Sequence, residues 1–151
     1  MKPTRKPFQV LAFPFKKLQN RIEYLVLRRN DSGAWQGVAG GGEGEETPAE
    51  AASRELFEEV GLSGGRLTEL DSLAHIPVVD ITGEFTCGKE TLVIPEHAFA
   101  YEARPDDQAK LSDEHVEFRW EEYDIARDLL EWDSNKTALW EIRERIRNGM
   151  L

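Results

Sequence analysis

The stretch from Gly40 to Leu62, GGGEGEETPAEAASRELFEEVGL, constrains this chain more than any other. It reads as a glycine-rich loop that turns into a helix with explicit start and stop signals. Thr47 is placed to cap the backbone N–H of Glu50 while the Glu50 side chain reaches back, and Pro48 sits at the first helical position, where its missing N–H costs nothing. Gly61 offers the left-handed residue that ends a helix, so the spacing predicts about three to four turns from Thr47 onward.

On a 3.6-residue repeat, Glu55, Glu58 and Glu59 fall within an arc of roughly 100°, and Ala49, Ala52, Leu56 and Val60 gather on a different face. One side reads as a core stripe and the other as a carboxylate cluster. Like charges at these spacings cost an isolated helix a few tenths of a kcal/mol per pair and raise one another's pKa, a cost that a divalent cation between them removes. Hard oxygen donors suit Mg²⁺ or Mn²⁺, whereas zinc prefers the nitrogen and sulfur ligands that are missing here. Ala51, one turn earlier on the acidic side, leaves room for a metal-bound ligand.

The pattern G-x5-E-x7-R-E-(apolar)-x-E-E-x-G-(apolar), carried by Gly40, Glu46, Arg54, Glu55, Leu56, Glu58, Glu59, Gly61 and Leu62, resembles the signature of the Nudix hydrolases at every fixed position. The resemblance implies an α/β fold, an α-β-α sandwich around a mixed sheet. It also implies Mg²⁺-dependent (or Mn²⁺-dependent) attack of water on a pyrophosphate bridge in a small phosphorylated substrate. In those terms Glu58 and Glu59 are metal ligands, and Glu55 is a ligand that also takes the water's proton. Arg54 and Glu46 form a structural ion pair. Gly40 to Gly42 let the backbone approach closely and take positive φ, so that a carbonyl near Ala39 or Gly40 faces the metal.

At 151 residues the chain has room for one core, and a single domain over 1–151 is expected. A net charge of −10 argues against a nucleic-acid polymer as partner, but not against a small phosphorylated substrate that arrives with its cation. The lone Cys87 makes no internal disulfide, no apolar run approaches the roughly 20 residues of a membrane span, and MKPTRKP lacks the apolar segment of a secretory signal. Cytoplasmic residence, with no membrane partner and as a monomer or homodimer, is the resulting expectation.

Along the chain, Phe8 to Phe15 reads as a buried strand with a bulge or end at Pro14, and Ile22 to Arg29 as its hairpin partner. Arg28 and Arg29 close that strand just before the acidic helix, where one of the two is suited to grip a phosphate. Trp35 is either an aromatic at the mouth of the site or a plug between loop and core. Strands are expected over 66–79, with a break near Ser72 or Pro77, over 91–103, and up to Glu121. A loop is expected over 80–90. A helix should follow from Tyr123 or Asp124, and a last amphipathic helix should start at Asn135.

The segments LRRNDSGAWQGVAG, SDEHVEFRW and WDSNKTALWEI together resemble the bacterial dihydroneopterin triphosphate pyrophosphohydrolases, with no counterpart for DITGEFTCGKE. That likeness implies Glu114 as a further acidic residue in catalysis, with Asp113 and Glu96 as weaker candidates, and a nucleoside or pterin triphosphate as substrate. Trp132, Ser134 and Asn135 then contact the base or pterin, with core packing the alternative for Trp132. Two other classes stay open: a Nudix hydrolase of ADP-ribose, a dinucleotide polyphosphate or an RNA cap, and a ligand-binding module without turnover.

Overall fold

The computed structural model describes residues 5–80 and 90–151. Residues 81–89, which hold Cys87 and most of the expected loop, lie outside the described residues. In chain order the elements are β1 (Arg5–Lys17), β2 (Ile22–Arg29), β3 (Trp35–Gln36), β4 (Val38–Glu43), α1 (Pro48–Val60), β5 (Arg66–Pro77), a 3₁₀ turn (Val78–Asp80), β6 (Val93–Glu102), β7 (His115–Glu121), α2 (Tyr123–Leu129) and α3 (Asp133–Arg147).

The apolar run in β1 is continuous because both of its faces are covered. Val10 and Ala12 pack with Leu56 and Val60 of α1, while Leu11, Phe13 and Phe15 pack with Leu139 and Ile142 of α3. Each of the larger side chains among these contributes about 1.5–3 kcal/mol by leaving water. The strand order is β3-β2-β1-β6-β5, with β4 on β1 and β7 on β2; β1 and β6 run parallel and the other pairs antiparallel. Helices on both faces of this mixed sheet make the α-β-α sandwich that the sequence led us to expect.

Pro14 neither ends nor bulges β1. It sits where one edge of the strand changes partner, from β4, last paired at Ala12, to β2, first paired at Phe15, so its missing N–H interrupts no ladder on that edge. The glycine-rich segment is also not a loop. Gly40, Gly41 and Gly42 lie in β4, and none of them has positive φ. Their requirement is close approach: a Cβ on Gly40 would fall on the Glu55 carboxyl group, and one on Gly42 on the Phe8 ring. β5 slips register between Glu69 and Leu73 and ends at Pro77, and α3 begins two residues before Asn135. No helix among the described residues is long and apolar enough to cross a membrane.

Candidate active site

Helix α1 has the boundaries its capping residues dictate. The Thr47 hydroxyl accepts from the Glu50 N–H at 3.2 Å, and the Glu50 carboxylate accepts from the Thr47 N–H at 3.0 Å. Gly61 closes the helix at φ 71°, its N–H donating to the Phe57 carbonyl while Leu62 reaches the Leu56 carbonyl.

The two-faced division of α1 needs correction. Ala49 is exposed, whereas Ala51 is buried in the core and leaves no space for a ligand. The buried arc spans roughly half the helix circumference and includes Glu55 and Glu59 among Ala51, Ala52, Leu56 and Val60. Of the three glutamates Glu55, Glu58 and Glu59, Glu58 alone stands free of the core, its side chain 53% exposed.

Arg54 joins this helix to β4. Its Nε and Nη2 donate to the two carboxylate oxygens of Glu46 at 2.7 and 3.1 Å, and Nη2 also donates to the Gly41 carbonyl at 2.7 Å. Nη1 donates to Glu55 at 2.9 Å and to Glu58 at 3.1 Å. These hydrogen bonds hold the Glu46 carboxyl below its usual pKa. Burial opposes the Arg54 charge, yet Glu46 and Glu55 more than offset it and its pKa rises.

Glu55 and Glu59 meet burial differently. Desolvation pushes Glu55 up to about 7 against the opposing Arg54 charge. Desolvation acts on Glu59 too, but His115, Glu114 and Ser112 stabilise its charge and its pKa is lowered. The His115 Nδ1 lies 2.9 Å from the Glu59 carboxylate, a short contact lacking the alignment of a linear hydrogen bond, and the Ser112 hydroxyl donates to the same oxygen at 3.2 Å. Lys110 and Ser112 donate their backbone N–H groups to the carbonyls of Val60 and Glu59. The segment before β7 thereby caps the last turn of α1 and sets Glu114 beside Glu59, where burial and the Glu59 charge raise its pKa.

A cavity of ≈ 1170 Å³ opens next to these carboxylates. Its lining includes Arg5, Arg29, Gly40, Glu55 and Glu114, together with Gln9, Gln36, Glu96, Trp132, Ser134 and Asn135. Arg28 does not reach it: successive strand residues face opposite sides, and Arg28 pairs instead with Glu117 at 3.1 Å. Arg29 does reach it, held at 2.9 and 2.8 Å by both oxygens of Asp31. Trp35 is not on the cavity wall either; it packs against the α3-side core and its carbonyl accepts from the Glu131 N–H. Trp132 is half exposed at the cavity, and the buried Asn135 side chain accepts the Gly37 N–H at 2.9 Å, pinning α3 to the β3–β4 connection.

Sequence reasoning gave His115 and Ser112 no role and passed over Gln9. A usable signal existed for Glu96, which shares its strand face with Ala98 and Ala100 and is therefore a carboxylate on an inward-facing row. Burial raises its pKa to about 7, opposed by a hydrogen bond with Ser134.

Among the described residues no three His, Cys, Asp or Glu side chains already converge as a metal cluster. The donor set nevertheless fits a hard divalent cation. Glu55 and Glu58 both bind one cationic nitrogen of Arg54, and the remaining electrostatic cost at Glu55 is the one that a second cation would remove. Glu55, Glu58 and Glu59 are the residues that would hold it.

Residues 8–140 match the NUDIX domain. A protein described as a NUDIX hydrolase from Listeria monocytogenes is 44% identical and superimposes with a TM-score of 0.86, over 95% of this chain and 97% of that one. The chain therefore belongs to the Nudix family. The E. coli dihydroneopterin triphosphate pyrophosphohydrolase (24% identity, TM-score 0.74, 94% of this chain and 99% of that one) and a C. elegans Ap4A hydrolase (19%, 0.74, 93% and 98%) share the fold. A curated protein from Myxococcus xanthus described as an octanoyltransferase is 34% identical over 111 residues, 70% of this chain, and the chain spans 28% of that protein's length.

Proposed function

We propose that this enzyme hydrolyses a nucleoside or pterin triphosphate to the monophosphate and pyrophosphate. The observation that carries the reading is the composition of the cavity, whose lining combines the carboxylates of Glu55, Glu96 and Glu114 and the guanidiniums of Arg5 and Arg29 with a half-exposed indole and neutral polar groups. The guanidiniums, with a cation on the carboxylates, suit a polyphosphate, and the indole suits a flat heterocycle. The local likeness at SDEHVEFRW and WDSNKTALWEI supports the same substrate class.

A bound Mg²⁺ or Mn²⁺ supplies charge neutralisation at the polyphosphate and eases ionisation of the attacking water. Glu58 and Glu59 hold charge at that point, Glu59 kept ionised by His115 and Ser112, and Glu55 takes the proton of the water. Glu114 stands beside Glu59 and supports its charge through the hydrogen bond between them, and Arg29 binds a phosphate oxygen. Gly40 contributes its backbone next to Glu55, and Trp132 and Asn135 border the heterocycle.

The test is hydrolysis of a panel in ¹⁸O-labelled water: dihydroneopterin triphosphate, ordinary and oxidised nucleoside triphosphates, ADP-ribose and diadenosine polyphosphates. A triphosphate with the highest kcat/KM and release of pyrophosphate supports the reading. A higher kcat/KM for ADP-ribose or a dinucleotide polyphosphate, or release of orthophosphate, overturns it, and the position of the label names the phosphorus attacked.

A further inference from the structure

Gln9 and Glu96 are register partners across the parallel β1–β6 pair, so their side chains stand next to each other on one face of the sheet. Both line the cavity, on the side of the sheet that α3 covers. The Gln9 side-chain oxygen is buried and accepts no hydrogen bond from any described group. An acceptor left in that state is costly, and a ligand that donates to it recovers the loss. Glu96 forms no salt bridge among the described residues; its burial is opposed by the hydrogen bond with Ser134, which sits beside Trp132 at the start of α3. This part of the cavity therefore offers adjacent acceptors together with the half-exposed indole of Trp132.

We propose that Gln9 and Glu96 are specificity-determining residues, forming a subsite that reads a heterocycle edge with adjacent N–H donors beside a carbonyl, the 2-amino-4-oxo edge that guanine and pterin rings share. The Glu96 carboxylate accepts from the ring N–H and the exocyclic amine together, and the unpaired Gln9 side-chain oxygen accepts the second N–H of that amine. An adenine ring presents an acceptor where this edge has its ring N–H and no amine at its 2-position, so Glu96 loses the two adjacent donors it would accept from. Substrates lacking the edge are disfavoured for that reason rather than by size. The proposal rests on the triphosphate reading for the reaction, but not for the binding preference.

Two readouts separate the claims. The first is the kcat/KM of dGTP and of dihydroneopterin triphosphate, each relative to dATP, in the wild type, Glu96→Gln and Gln9→Ala at saturating Mg²⁺. The wild type should favour the 2-amino-4-oxo substrates about 10- to 100-fold, and Glu96→Gln should reduce that ratio by about tenfold or more. Whichever of the two substrates shows the larger ratio identifies the source of the edge. The second readout is the Kd of dGMP against dAMP by calorimetry, with thermal melting to verify that the variants are folded. If no triphosphate is hydrolysed but dGMP is preferred and Glu96→Gln abolishes the preference, the subsite stands and the reaction reading falls. Equal binding of dGMP and dAMP by the wild type, or a Glu96→Gln variant that lowers affinity for both alike, overturns the subsite.

Discussion

Glu55 and Glu59 are both buried in α1, yet one is raised and the other lowered, because only Glu59 has His115 and Ser112 to stabilise its charge. Glu59→Gln and Glu58→Gln should each lower kcat about 10²–10⁴-fold with little change in far-UV circular dichroism. Near-normal rates in both would remove these residues from the chemistry. Glu96 gives a different signal. Its folded pKa of about 7 lies above the ordinary 4.5, so it favours the folded state most strongly below pH 4.5, and this contribution is lost as pH rises through 7. Stability from urea titrations should therefore fall across that window, by about 3 kcal/mol at most from this group. Glu96→Gln should flatten the fall, and an unchanged pH profile would mean that the group titrates normally.

At the scale of elements, the acidic helix was the most legible part of the chain, because its caps and its glycine stop are local signals that packing does not override. Thr47, Pro48, Glu50 and Gly61 occupy the positions their chemistry dictates. The faces of the helix were less legible: the periodicity placed three glutamates together, but burial of Glu55 and Glu59 depends on β4 and on the segment before β7, which are distant in sequence. The same limit explains Gly40 to Gly42, whose composition suggests a loop although the need for them arises from Glu55 and Phe8 across the fold. Choosing Arg29 over Arg28 likewise required the strand's facing, which two adjacent arginines do not reveal. Arg54→Ala should cost about 2–4 kcal/mol in urea unfolding, since it strands Glu46 and the Gly41 carbonyl together. A cost under about 0.5 kcal/mol would show the link between α1 and β4 to be weak.

For the whole molecule, the sandwich holds a helix on one sheet face and two on the other, and the cavity is lined from both covered faces, by Glu55 from α1 and by Trp132 to Asn135 at the start of α3. A ligand that binds only the folded chain adds stability by mass action, about 2.7 kcal/mol at a hundredfold excess over its Kd, so millimolar Mg²⁺ should raise Tm by several degrees near pH 7. The increase should shrink in Glu59→Gln. The most direct measurement of the central claim, that the carboxylates of α1 hold a divalent cation at the polyphosphate end of the cavity, is anomalous diffraction from crystals soaked in Mn²⁺. The account predicts a peak bounded by Glu55, Glu58 and Glu59. A well-diffracting soaked crystal with no peak there, or with its peaks elsewhere, would contradict it.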